Sequence, residues 1–268
     1  MYCEGNLEVL NSPCFSIVGS RDLTDYGRRI EKWIVRDLSL RGITIVSGMA
    51  VGADSVAHQV TLDNGGKTIA VLGCGFNHIF PEENIDLYQR IVREGGLVIS
   101  EYSPETEAKS AYFPKRNRIV SGLSKGVLVV EAKYRSGTSI TARLAKEQGK
   151  KVFALPGRLD NKNGVGVNKL IKEGASMVIS PNDIIDEIPE FQSLVKTNIR
   201  QNSSVKKEYR KIYSLLNDEP MTLDEISLKT KNDIKCTLNL LTLMELEDLV
   251  EEIVGARLCQ EVSKVKTN

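Results

Sequence analysis

The sequence predicts an α/β protein with a doubly wound, mainly parallel sheet over residues 1–185, followed by a small winged-helix-like domain over residues 206–268. Three observations carry this. Short β-branched apolar runs alternate with helix-length amphipathic segments through the first 185 residues. The runs are apolar almost throughout, as in strands covered on both faces. After residue 185 the alternation stops, and a polar stretch (186–205) reads as a linker to a compact, Leu-rich unit.

In order, the predicted strands are FSIVG (15–19), ITIVSG (43–48), TIAVLG (68–73), GLVISE (96–101), GVLVVEA (126–132), KVFALPG (151–157) and SMVIS (176–180). Between the first two, Tyr26 to Arg41 is an amphipathic helix with Ile30, Trp33, Ile34, Val35 and Leu38 facing a core. Ser139 to Gln148 is a helix stopped by Gly149. In the tail, Tyr209 to Leu216 is a short helix, and Thr222-Leu-Asp-Glu225 is a capping box opening a second. Asp233 to Leu246 is a third, and residues 248–260 form a hairpin around Gly255.

Composition narrows the function. The chain has 268 residues, 41% hydrophobic and 26% charged, with net charge +1, as in ordinary globular proteins. No apolar run reaches the roughly 18 residues a membrane span requires. The N-terminus lacks the basic region of a signal peptide. Five scattered cysteines without a C-x-x-C pair, and only two histidines, argue against a metal cluster and for reduced thiols in the cytoplasm. The charge is uneven: +4 over residues 1–185 and −2 over 206–268.

Four clusters fall at predicted strand ends, where open α/β sheets bind ligands. Gly19-Ser20-Arg21 offers close backbone approach, a hydroxyl and a cation at a helix N-terminus that favours an anion; a tight turn with a surface Arg is the equal alternative. Ser47 to Asp54 holds Gly48 and Gly52, which could open backbone N–H groups to phosphate, with Asp54 as a helix cap. It is neither a dinucleotide fingerprint nor a Walker loop, so no cofactor is assigned. Lys109 to Arg118 packs Lys109, Lys115, Arg116 and Arg118 beside Tyr112 and Phe113 with no acid. Cations clamp phosphate and an aromatic face stacks on any base, a combination suited to a bare strand. Ser136-Gly137-Thr138-Ser139 again places hydroxyls and a glycine before a helix, where a phosphate contact and a cap are equally good readings. Cys74 and His58 read as buried packing residues and His78 as a loop residue, so nucleophilic catalysis has little support.

These clusters occur together with Val18-Gly-Ser-Arg21, Pro81-x-x-Asn84, Phe113-Pro-x-Arg116-Asn117-Arg118-Ile119, Glu131-Ala132, Pro156-Gly157 and Gly166-x-Asn168 in that order. The series resembles the bacterial DNA-processing protein A (DprA/Smf) family over roughly residues 1–180, and the tail resembles that family's winged-helix appendage. The resemblance implies a Rossmann-like domain that binds single-stranded DNA and loads the RecA recombinase onto it in natural transformation. It implies a homodimer formed through the large domain, and neither enzymatic activity nor a metal or cofactor. By motif, Arg21 in Gly19-Ser20-Arg21 would meet phosphate and Phe113 would stack on a base. Lys109 would supply charge, Arg116, Asn117 and Arg118 would shape the pocket, Gly48 and Gly137 would allow close approach, and Ser136 would be a further contact to the strand.

Three departures stand out. The family often has Lys where Ser110 lies, with Lys109 one residue away; Val51 and Ala53 replace residues common in the family; and many members carry an extra N-terminal helical domain before the segment that Met1 to Asn6 resembles. The third tail helix has Lys235 against Asp233 and Glu245, too little charge for duplex reading. Its excess of leucines points to a protein contact. The competing expectation is a nucleotide-binding or nucleotide-cleaving enzyme or sensor on the same sheet. The P-G-G-x-G-T-x-x-E signature of related nucleotide-cleaving enzymes is absent, since Arg158 follows Pro156-Gly157.

Overall fold

The computed structural model describes residues 1–134, 136–194, 208–216, 221–246, 250–253 and 257–260, with backbone alone for residues 246, 251–253 and 257–260. The chain divides into two compact units, residues 1–195 and 196–268.

All seven predicted strands are present. They are β2 (Cys14–Val18), β3 (Thr44–Ser47), β4 (Thr68–Leu72), β5 (Leu97–Ser100), β6 (Gly126–Val129), β7 (Lys151–Ala154) and β8 (Ser176–Met177), preceded by a further strand, β1 (Tyr2–Gly5). The sheet order is β1-β5-β4-β3-β2-β6-β7-β8. Every pairing is parallel except β1 on β5, where Tyr2 lies opposite Ser100. Strands β2 to β6 are buried throughout, which is why their sequences are apolar runs rather than alternating ones.

The chain winds from β2 outward to β5, then returns to β6 on the other side of β2. The crevice between the carboxyl ends of β2 and β6 is therefore the topological switch point, where open α/β sheets take ligands. One face is covered by α4 (Tyr112–Leu123), α5 (Gly137–Glu147) and α6 (Lys162–Lys172) over Val18, Val46, Val127 and Val129. The other is covered by α1 (Asp25–Leu40), α2 (Ala53–Asp63), α3 (Ile85–Arg93) and α7 (Pro181–Glu187), over Phe15, Ile17, Ile45, Ala70 and Leu72. Among the described residues no helix is long and apolar enough to cross a membrane.

Two expectations are corrected. Trp33 is 46% exposed, whereas the buried stripe of α1 is Gly27, Glu31, Ile34, Val35 and Leu38. This stripe follows helical spacing, and Trp33 lies off it. Residues 186–194, read as linker, continue the large unit: Ile188 and Phe191 are buried, and Phe191 meets the Phe15 ring edge-on at 5.9 Å. The rest of the expected linker, residues 195–205, lies outside the described residues.

The small unit is a winged helix. It comprises α8 (Arg210–Leu216), β9 (Met221–Thr222), α9 (Leu223–Thr230), α10 (Ile234–Leu246), β10 (Val250–Ile253) and β11 (Arg257–Gln260). The strands form one antiparallel sheet in the order β10-β11-β9. The capping box at Thr222 and Glu225 is formed in both directions. Tyr209, Ile212, Met221, Ile226, Leu241 and Met244 make the core, while Ile234, Leu238 and Leu243 of α10 stay about half exposed.

Glu31 is fully buried, and neither carboxylate oxygen has a hydrogen-bond partner among the described residues. Burial pushes this carboxyl well above the usual range; Asp54 adds to the rise, Arg28 opposes it and Glu131 adds to it. The folded chain therefore retains a proton that the unfolded chain loses near pH 4.5, and stability falls as pH rises above that value. Glu31→Gln should remove this slope in urea unfolding between pH 5 and pH 7.5. Glu31→Leu should also raise stability at pH 7, by about 1–3 kcal/mol, the cost of a buried polar group without a partner. Unchanged slope and midpoint would contradict both.

Candidate nucleic-acid interface

Strand β2 ends at Val18, and Val130 donates its N–H to the Val18 carbonyl at 3.0 Å, so the loops after β2 and β6 leave the sheet side by side. The loops after β2, β3 and β6 are then tied together. Ala53 N–H donates to Ser20 O at 3.1 Å, and the Thr138 hydroxyl to Gly19 O at 3.1 Å. Gly52 has φ +85°, and a Cβ there would lie 2.4 Å from Ser20 O, so this crossing of backbones requires glycine. Met49 holds φ 64°, an uncommon state for a side-chain-bearing residue. Its carbonyl is fixed by Asn84 Nδ2 at 2.7 Å, and the Ser55 hydroxyl holds Ala50 O at 2.7 Å.

Arg116 lies under these loops. It is 4% exposed, and its guanidinium donates to the carbonyls of Gly48 and Val71, with Nε on Asn117 Oδ1 at 3.1 Å. A Cβ on Gly48 would stand 2.6 Å from that guanidinium. Gly48 therefore makes room for Arg116, and the expected phosphate approach at this glycine is replaced by an internal cation. Burial works against the charge on Arg116 and Asp54 favours it; burial in turn raises the Asp54 carboxyl, opposed by Arg116. Asp54 accepts from Ala50 N–H at 3.2 Å and closes the loop, while Gly52 takes the cap position.

A second internal charge corrects the anion reading after β2. The Glu131 carboxylate, buried, accepts from the Thr24 N–H at 3.0 Å and the Thr24 hydroxyl at 2.5 Å. The N-terminus of α1 thus already holds an anion from its own chain. The α5 N-terminus is different: Ser136 gives no side-chain cap, no acid lies in the first turn, and Gly137 faces open space.

The Lys109–Arg118 cluster opens α4 rather than forming a loop, with Pro114 in the first turn where a missing N–H is harmless. Phe113 is half-buried, covers Gly73 (a Cβ there would meet its ring at 2.8 Å) and has the Arg116 guanidinium 6.0 Å from its centroid. Phe80, 46% exposed, tilts against it with centroids 5.7 Å apart. Sequence reasoning missed Phe80, whose only signal was an aromatic before Pro81 in a polar loop. Tyr112 stacks on Tyr102 at 4.2 Å, with Lys109 Nζ 5.9 Å from the Tyr112 centroid. Lys109, Lys115 and Arg21 are exposed, and Arg21 is close enough to Asp54 and Arg116 to act on both. Arg118 is exposed and paired with Glu101.

His58 and Cys74, the histidine and cysteine nearest Arg116, are both buried. His58 is buried with Nδ1 2.6 Å from the Thr68 hydroxyl, and burial followed by Arg116 pulls it down to about 3. Cys74 is buried and its thiol is raised by burial. Of the predicted residues, the structure brings Gly19, Ser20, Gly48, Phe113, Arg116, Asn117, Ser136 and Gly137 to the strand ends, Arg116 and Gly48 as its internal frame.

Arg116→Met should leave the Gly48 and Val71 carbonyls unpaired and lower unfolding stability by about 2–5 kcal/mol, since each orphaned buried acceptor costs about 1–3 kcal/mol. Gly48→Ala should destabilise by about 1–3 kcal/mol through overpacking. Wild-type urea midpoints would contradict the internal role.

The family of DNA recombination-mediator protein A matches residues 1–189, and its DprA winged helix domain matches residues 200–256. The chain is 45% identical over 188 residues to Protein Smf of Escherichia coli K12 (70% of this chain, 50% of that protein). It is 40% identical over 191 residues to the DNA processing protein DprA of Bacillus subtilis (71% and 64%). It thus spans about half to two thirds of the length of such relatives. Among solved structures it is similar to DprA of Streptococcus pneumoniae, with TM-score 0.66 and 42% identity over 69% of this chain and 65% of that one. It is also similar to DNA processing protein A of Helicobacter pylori, solved to explain that protein's single-stranded DNA binding mode, with TM-score 0.64 and 32% identity over 73% and 86%. Taken with the switch-point crevice and the aromatic pair over the end of β4, these matches make the chain a member of the DNA recombination-mediator protein A family.

Proposed function

We propose that this chain binds single-stranded DNA without sequence preference at the β2/β6 crevice and delivers it to a RecA-type recombinase in natural transformation or recombination. The observation that carries the reading is the pair Phe80 and Phe113, partly exposed beside Arg116 at the carboxyl ends of β3 and β4, on the same rim of the sheet as the crevice. An aromatic face stacks on any base, and duplex bases are not free to take it. Exposed Arg21, Lys109 and Lys115 supply phosphate contacts, and the open α5 N-terminus adds backbone N–H groups. The single-stranded DNA binding of the Helicobacter pylori relative supports the ligand. Family membership supports delivery to RecA, a cytoplasmic setting, a binding rather than catalytic role, and a homodimer through the large unit.

The small unit is assigned to a protein contact. Its net charge is negative and the exposed Ile234, Leu238 and Leu243 offer apolar rather than cationic surface.

Gel shifts with single- and double-stranded oligonucleotides of one sequence test the reading. Single strands should be retained, with log affinity falling by about 0.7 per phosphate contact per log unit of salt. Phe113→Ala and Phe80→Ala should each weaken binding by about 1–3 kcal/mol, and Arg21→Ala should reduce the salt slope by about 0.7. Deleting residues 196–268 should leave affinity largely intact. Equal retention of duplex, or turnover of a mononucleotide, would sink the proposal.

A further inference from the structure

Helix α1 carries a charged face that the candidate site does not use. Its buried stripe is Gly27, Glu31, Ile34, Val35 and Leu38. On the opposite side Arg29, Lys32, Trp33 and Arg36 stand at i, i+3, i+4 and i+7, the spacing of one helix face, with Arg28 beside them. Arg28, Arg29, Lys32 and Trp33 are exposed. The one acid between Arg28 and Arg36 is Glu31, which is buried. Asp37, the next along, is held by Arg41 through two hydrogen bonds. Asp25 sits in the first turn, where a helix favours an acid.

Two features separate this face from an ordinary solvated one. Exposed helix charges commonly pair with opposite ones four residues away, as Arg41 does with Asp37. Arg28, Lys32 and Arg36 instead follow one another at that spacing, where like charges repel. Among the described residues Arg28, Arg29 and Lys32 have no ion pair. A polyanion laid along the helix relieves that repulsion. The second feature is Trp33, 46% exposed amid these cations, whose ring meets no other ring or cation among the described residues.

The face is continuous with the candidate site. Exposed Arg21 lies in the loop that leaves β2 at the crevice, four residues before α1 begins. From Arg28 to Arg36 the helix advances about 12 Å, the length of three or four stacked nucleotides at about 3.4 Å each. Helix α1 lies on the side of the sheet away from α4, α5 and α6.

We infer that the outer face of α1 is a second binding segment for the same single strand. The strand leaves the crevice past Arg21, its phosphates run along Arg28, Arg29 and Lys32, and one base stacks on Trp33. This rests on the strand-binding reading above and extends its path. Cations alone would serve any polyanion; the free indole face among them selects one that carries unpaired bases.

Trp33 is the only tryptophan in the chain, so its emission tests the inference directly. Thymidine oligonucleotides of about six and about twenty nucleotides lie within and beyond the span one small groove covers. Each is titrated against the whole chain, with anisotropy of a dye on the strand reporting binding. The long strand should quench the tryptophan as it binds, and the short one should bind with emission unchanged. Arg29→Gln/Lys32→Gln should lower the salt slope on the long strand by about 1.4, two contacts' worth, and leave the short strand's affinity as it is. Trp33→Ala should weaken the long strand about tenfold and spare the short one, whereas Arg21→Ala should weaken both. A long strand that binds without quenching, wild-type slope and affinity in the variants, or equal losses on both lengths would overturn the second segment while leaving the crevice standing. Quenching by polyglutamate as strong as by the long strand would overturn it in favour of an acidic protein partner. Failure of the wild type to bind either length would overturn both segments.

Discussion

The buried guanidinium of Arg116 organises the large unit's ligand face. One cationic group, brought in by α4, holds carbonyls at the carboxyl ends of β3 and β4. A charge in that place is tolerable only with full hydrogen bonding and a nearby counter-charge, and the surroundings comply. Gly48 omits its side chain to admit it, Asn117 accepts from Nε, Asp54 favours its charge, and Phe113 lies against it. The same charge helps keep His58 neutral.

The loops above Arg116 are fixed by bonds that cross between them as well as by bonds within them. Ser20 meets Ala53, Gly19 meets Thr138, Thr24 meets Glu131, and Asn84 holds the strained Met49. Such a frame limits the ordering cost when a flexible strand binds, because the protein side is already arranged. It also uses up several groups that look ligand-ready in one dimension. Gly48 serves Arg116, and the α1 N-terminus serves Glu131. What remains outward is a smaller set: Arg21, Lys109, Lys115, the Phe80–Phe113 pair and the α5 N-terminus.

The architecture was legible because buried parallel strands leave a strong sequence trace, and all seven such runs are strands. Strand β1 was not legible: Tyr2 to Gly5 is an exposed edge segment without alternation, and only the free edge of β5 makes it a strand. Trp33 and Glu31 show the limit of reading a helix by residue type. Spacing placed the stripe correctly, yet its occupants include an acid, and the large apolar residue beside it faces solvent. Phe191 looked like linker because its polar neighbours dominate the segment, while its own ring fills a gap beside Phe15.

The sequence alone determined the fold class, the order of elements, the family, and the short list of segments at the strand ends. Each of these is a local or periodic property, encoded in runs, spacings and motif order. Only the tertiary structure decided which members of that list face out and which face in. Arg116 and Arg118 are two residues apart on one helix, so they point in different directions. One is buried against two carbonyls and the other is exposed on Glu101. Likewise Phe80 joins Phe113 across 33 positions only because the loop after β4 and the start of α4 converge over the carboxyl end of β4. Direction and long-range convergence are products of packing, and no residue type states them.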